Sequence, residues 1–252
     1  MMKNKNKKNG HKSRSFLHII LKILHTILNF TLLAVIIYIG FKVVGPKQAE
    51  YQEVKTVYDV IEEEKDNADL YDTMPQFLEE HKFDWITISN TAIDYPLMRA
   101  DDNNYYIKHD YQGKPTIAGA IFYDAYDEPF NGTCTIIYGH NMRNGTMFNN
   151  LQLLKKDNNL FRESRLIIQT KDGKKIFRPL AYYITTDDFF YLNLDEKSTT
   201  EAVEEIKSKS KYFIKETSIA KDAHIMALYT CDYSIDKDRG RLIVFFIEDT
   251  QY

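Results

Sequence analysis

Leu, Ile, Val and Phe crowd the chain from residue 16 to residue 44, most densely over 27–41. That length covers the ~20 residues a membrane-spanning helix needs. His18 and Lys22 lie near its start, where long polar side chains can snorkel, and Asn29 is a tolerable interruption. From 47 to 80 the spacing stays helical but turns polar and acidic. Tyr51, Val54, Val57, Tyr58 and Ile61 fall at i, i+3, i+4 intervals. This predicts helices over 48–65 and 74–80, with Glu62-Glu63-Glu64 on a solvated face. After Phe83 the period shortens to that of strands. Segments 85–88, 93–98, 117–123, 134–138, 165–170, 175–184, 225–228 and 242–247 are short, apolar and bounded by turn residues. Pro96 suits an edge or a strand start, and Asp172-Gly173 signals a hairpin. Residues 199–213 return to helical spacing, with a Thr cap and early acids. Seven or eight strands with few long helices predict a mostly β fold, a closed or nearly closed barrel. No internal repeat interrupts it.

The pattern divides the 252 residues into a head (1–15), an apolar anchor (16–44), a helical linker (45–82) and a β body (83–252). Charge follows the same division. Residues 1–49 hold nine Lys/Arg and no acid, which leaves 24 basic against 36 acidic residues beyond them, a formal charge of −12. Such a body repels a phosphate backbone, so no nucleic-acid partner is expected. The head, with six Lys/Arg, is expected to be disordered and to remain in the cytoplasm, with the rest beyond the membrane. A cleaved signal peptide is the competing reading. Its apolar core would be shorter, and no A-x-A-like site precedes Pro46. The two cysteines, Cys134 and Cys231, allow one disulfide, but neither a C-x-x-C nor a Cys/His cluster occurs. No metal and no cofactor are expected. Asp101-Asp102-Asn103-Asn104 begins like a calcium loop, but Gln112 stands where the twelfth-position acid belongs, so it reads as a turn.

The chemistry concentrates at 227–246. Two buried strands joined as an antiparallel hairpin would set the end of the first, Cys231, beside the start of the second, Arg241. A thiol beside a permanent cation suits a thiolate nucleophile; a buried Cys and a surface Arg flanking a turn is the alternative. A cysteine nucleophile wants a histidine. His11, His18 and His25 belong to the head and anchor, and His81 and His109 sit in charged, loop-like surroundings. His224 lies seven residues of extended chain from Cys231, ~23 Å at ~3.3 Å per residue. His140 remains, emerging after the strand CTIIY and Gly139. Arg239 rivals Arg241 but lies in the connection, and Asp232 has two roles open to it, orienting His140 or capping the loop.

With these residues in view, the sequence resembles the class B sortases, membrane-anchored cysteine transpeptidases of Gram-positive bacteria. The resemblance runs from about 83 to 247 and rests on WITISNTAIDYPLM, DDNNYYIKHD, GAIFYD, IIYGHNMRNGTMFNNL and an L-x-T-C signature with a downstream Arg. Ala227 stands where that signature usually has Thr, and Tyr229 where Ser is common. The resemblance implies an eight-stranded sortase barrel, with 199–213 the extra class B helix. It makes Cys231 the nucleophile, His140 its proton-transfer partner and Arg241 the cation, with Leu228, Tyr229 and Thr230 at the substrate groove. The implied partners are surface proteins bearing a C-terminal sorting signal, cleaved after Thr, and an amine of the cell-wall precursor or a protein. A cysteine peptidase, or a silent membrane-tethered scaffold, are the alternative functions.

Overall fold

The computed structural model describes residues 6–70, 72–126, 128–215 and 219–249. It divides into two compact units between Glu53 and Val54. In the first, helix α1 (Asn6–Ile39) runs into a π-helical turn, Gly40–Val44. His18–Lys42 has a mean hydropathy of 2.1 and is long and apolar enough to cross a membrane. Its Leu28, Phe30, Val35 and Ile36 are all exposed. The head is not disordered as expected: it is helical from Asn6 onward, and Met1–Lys5 lie outside the described residues. Once the apolar segment has nucleated a helix, each further residue adds a hydrogen bond at little cost, and Gly10 resists most.

Helix α2 (Gly45–Leu70) carries the chain into the second unit, where α3 (Met74–His81) follows. Tyr58, Ile61, Lys65 and Ala68 form the buried stripe of α2, while Glu63 and Glu64 stay in solvent. The strands are β1 (Asp84–Ile88), β2 (Ile93–Met98), β3 (Ile121–Tyr123) and β4 (Cys134–Tyr138). Two short helices, α4 (Leu151–Lys156) and α5 (Asn158–Glu163), lead to β5 (Leu166–Thr170) and β6 (Gly173–Thr185). Helix α6 (Thr199–Lys209), β7 (Tyr212–Phe213), β8 (Ile225–Cys231) and β9 (Arg241–Glu248) complete the unit. The strand order is β5-β1-β2-β3-β4-β8-β9-β6, and β6 pairs back onto β5, which closes an eight-stranded barrel. The two-residue β7 hangs on β6 outside that ring. Closure gives every strand of the ring a neighbour on both sides.

Three expectations are corrected. The strand over 117–123 shrinks to β3, because Gly119 adopts φ +59° and turns the backbone out of the extended region. The helix over 199–213 stops at Lys209, and its cap is Ser198, which forms a capping box with Glu201. Thr199 instead donates its hydroxyl to the Ala223 carbonyl. Pro96 sits on neither an edge strand nor a strand start. It faces Trp85 across β1, and β3 reaches only Leu97 and Met98, so β2 keeps that flank clear at the proline.

Helix α6 lays Ala202, Val203 and Ile206 over Ala227, Ile243 and Phe245 in one buried cluster with Phe190, Tyr191 and Leu194. A helix does not fit inside an eight-stranded ring, so this is the outer face of β8 and β9. Side chains alternate along a strand, which puts Ala227, Tyr229 and Cys231 on that face and Met226, Leu228 and Thr230 inside.

Candidate active site

Strand pairing brings the first two groups together. Cys231 and Arg241 are cross-strand partners at the end of the β8–β9 ladder. Gly240 makes the connection between them possible. A Cβ there would come within 2.1 Å of the Asp232 carbonyl and 2.6 Å of that of Asp236, so only glycine lets the loop close so tightly. The Asp232 N–H donates to the Gly240 carbonyl at 2.8 Å and pins the closure.

His140 is delivered by the parallel pair β4–β8, which sets Tyr138 beside Tyr229. Past that pair, the Gly139 N–H donates to the Tyr229 carbonyl (3.2 Å) and the Thr230 hydroxyl donates to the Gly139 carbonyl (2.7 Å). A Cβ on Gly139 would strike the Phe148 ring at 2.6 Å. The chain leaving β4 is thereby stitched to the strand that bears the thiol. The imidazole Nε2 lies 2.9 Å from the Ile107 carbonyl. A carbonyl can only accept, so Nε2 carries a proton and Nδ1 is the nitrogen left to exchange one.

Cys231, His140 and Arg241 line one cavity of about 350 Å³ together with Asn103, Ile107, Phe122, Tyr138, Gly139 and Tyr229. The guanidinium is fixed before anything binds. Its Nε donates to the Tyr229 hydroxyl and its Nη1 to the carbonyls of Asp238 (3.1 Å) and Gly240 (2.9 Å). Burial works against this cation, but the Tyr229 phenol and the Cys231 sulfur outweigh it and raise its pKa. Burial likewise pushes the phenols of Tyr138, Tyr191 and Tyr229 up, so all three stay protonated at neutral pH. Tyr138 donates to Asp124 at 2.6 Å, and the rings of Tyr138 and Tyr191 pack on Tyr229 with centroids 5.2 and 5.7 Å away.

Behind the thiol, the Cys231 carbonyl accepts from Asn141 Nδ2 (2.8 Å) and Gln152 Nε2 (3.2 Å). Asp232 does not orient the histidine. It is fully buried and pairs with Lys155 of α4 at 2.6 Å while accepting from Ser234, so it caps the loop. Arg239 stays in the exposed connection beside Asp236 (3.9 Å). No disulfide joins Cys134 and Cys231; Cys134 is buried at the far end of β4. His224 is a buried histidine bonded through both nitrogens, to Thr135 and to the Gly132 carbonyl.

Of the groove residues expected beside the nucleophile, Tyr229 lines the cavity. Leu228 and Thr230 do not: both point to the barrel interior and are almost fully buried. Strand alternation is the reason, since only every second residue shares the face of Cys231. The sequence reading missed Asn103, Ile107, Phe122 and Tyr138, which β2–β3, β3 and β4 supply. A signal existed for Tyr138, which ends the strand just before His140 and keeps register with Tyr229. None existed for Gln152, whose role depends on α4 docking.

A closed barrel sets a cysteine, a histidine and an arginine around one outer cavity, the residue types that cysteine-nucleophile chemistry uses. A sortase domain model matches residues 86–246. The chain belongs to the sortase family, in class B, and is a sortase-type enzyme. Sortase B of Listeria monocytogenes is 35% identical over 176 residues, covering 67% of this chain and 70% of that protein. The crystal structure of sortase B from Bacillus anthracis in complex with AAEK1 is 27% identical, with a TM-score of 0.63, over 79% of this chain and 98% of that one. The Staphylococcus aureus sortase B–substrate complex shares the fold, with 21% identity and a TM-score of 0.67 over 81% of this chain and 100% of that one.

Proposed function

We propose that the chain is a membrane-anchored cysteine transpeptidase that cleaves a C-terminal sorting signal after Thr and joins the acyl group to an amine. The observation that supports this most is the shared cavity of Cys231, His140 and Arg241, with the thiol and the guanidinium in cross-strand register. In the first half, the Cys231 thiolate attacks the Thr carbonyl carbon. His140, as imidazolium, gives its Nδ1 proton to the departing amine as the C–N bond breaks, which leaves a thioester. In the second half an incoming amine attacks the thioester, neutral His140 takes its proton, and the thiolate leaves. Arg241 directs charge-assisted donors at the oxyanion that forms in both halves. The partners are a surface protein bearing the signal and a cell-wall precursor or protein amine. With α1 in the membrane, its N-terminus cytoplasmic and the barrel outside, enzyme and lipid-linked acceptor share one membrane face, which raises their effective concentration.

The test is cleavage of a Thr-containing peptide library by the full chain in detergent micelles, with and without added primary amine, read by mass spectrometry. Transpeptidation gives the amine conjugate in rising proportion to amine. A hydrolysed fragment alone, even at high amine, makes the chain a peptidase instead. No turnover that depends on Cys231 leaves the scaffold.

A further inference from the structure

Among the described residues the imidazole of His140 is held by one backbone carbonyl, that of Ile107, and the structure shows what holds that carbonyl. Ile107 lies in the connection between β2 and β3, where no regular ladder fixes it. Two backbone hydrogen bonds bracket it: Ala120 N–H to the Tyr106 carbonyl (2.9 Å) and Thr116 N–H to the Lys108 carbonyl (2.8 Å). Between those two donors sits buried Gly119, at φ +59°. A Cβ on it would come within 2.3 Å of the Tyr106 oxygen and 2.9 Å of the Ile107 oxygen, the very atom that accepts from His140. The Gly119 carbonyl in turn accepts from the hydroxyl of Tyr58 at 2.8 Å. Tyr58 belongs to α2, is 5% exposed and packs on Tyr95 and Tyr111 (ring centroids 5.4 and 5.6 Å).

We propose that Tyr58 and Gly119 are positioning residues for His140: α2 grips the Gly119 carbonyl, and the bare Cα of Gly119 lets that strip abut the Ile107 carbonyl that fixes the imidazole. Helix α2 is then part of the catalytic scaffold as well as a link to the anchor. This rests on the transpeptidase reading, in which His140 protonates the leaving amine. Proton transfer needs the donor nitrogen within hydrogen-bond reach, and a shift of ~1 Å costs on the order of 100-fold in rate.

Leaving-group dependence tests it, with the full chain in detergent micelles. The two substrates are the amide peptide selected from the library and the same acyl sequence as a p-nitrophenyl ester, whose phenolate departs without a proton. His140→Ala sets the benchmark and lowers amide turnover more than ester turnover. Gly119→Ala is expected to lower kcat on the amide by roughly tenfold or more beyond any loss on the ester, with KM little changed. Tyr58→Phe, which removes one hydroxyl and keeps the ring, is expected to shift the same ratio by about threefold to tenfold. Gly113→Ala is the control: it strains the same connection at φ +77°, but its Cβ meets only the Tyr105 hydroxyl at 3.0 Å, and its ratio stays at the wild-type value. If Gly119→Ala fails to fold, Tyr58→Phe decides. Amide and ester falling together in Gly119→Ala and Tyr58→Phe, or neither falling, overturns the proposal while a split His140→Ala leaves the transpeptidase reading standing. An unsplit His140→Ala removes the role given to His140, and the proposal with it.

Discussion

Arg241 meets the cavity with its Nε and Nη1 already engaged, and that decides what a substitution does. Lysine offers one compact point of charge on a flexible stem. It reproduces neither the bond to Tyr229 nor the pair of bonds to the loop carbonyls. Arg241→Lys is expected to lower kcat/KM on the order of 10- to 100-fold, measured with the library-selected peptide. Behind the thiol, the ion pair of Lys155 and Asp232 is 12% and 1% exposed. Burial alone pushes the Asp232 carboxyl up, but Lys155 and Ser234 outweigh it and hold it below the usual carboxylate range. Lys155→Met strands that charge and should cost about 3–5 kcal/mol in denaturant unfolding, part of which Lys155→Met/Asp232→Asn restores. His224 carries the same proton balance for a different reason. Burial lowers its pKa, with Glu248, Asp195 and Lys175 as its charged neighbours. The unfolded chain takes up a proton near pH ~6.5 that the folded chain refuses, so this contribution is full above that pH and shrinks as pH falls below it. The denaturation midpoint of wild type should fall from pH 7 to pH 5 more steeply than that of His224→Gln.

Helix α6 has both a good cap and a good apolar stripe, and packing is the larger of the two. Ser198→Ala removes one capping bond, about 1 kcal/mol. Ile206→Ala empties a fully buried position between α6 and the outer face of β8–β9, about 2–5 kcal/mol. Unfolding of the two variants should rank in that order. The hairpin β8–β9 was legible because Cys231 and Arg241 abut apolar runs whose ends bound the turn, and antiparallel pairing then fixes their adjacency. The groove was less legible. The resemblance to class B sortases implied Leu228, Tyr229 and Thr230 together, whereas strand alternation sends the outer two inward. Helices α4 and α5 escaped notice because six residues are too few to show a 3.6-residue period. They are held by Leu151, Leu154 and Phe161, which are buried only once the barrel exists.

At the scale of the whole chain, one apolar helix precedes an acidic body. In the proposed topology a membrane-impermeant maleimide should label Cys231 in intact cells, and Cys231→Ala should abolish that label, since Cys134 is buried. Labelling only after the membrane is opened would reverse the orientation.

The order of polar and apolar residues by itself determined the apolar N-terminal helix, the strand content and the hairpin that pairs Cys231 with Arg241, because these follow from local period and from pairing between chain neighbours. Only the folded barrel decided the rest. It closed β6 onto β5, put Tyr138 beside Tyr229 and His140 on the same cavity, turned Asp232 away to Lys155, and linked Tyr58 to Gly119 where Gly119 abuts the Ile107 carbonyl that bonds the imidazole. Those contacts join residues tens of positions apart. No local period records them, since their cost in chain entropy is met by burial that exists only in the assembled core.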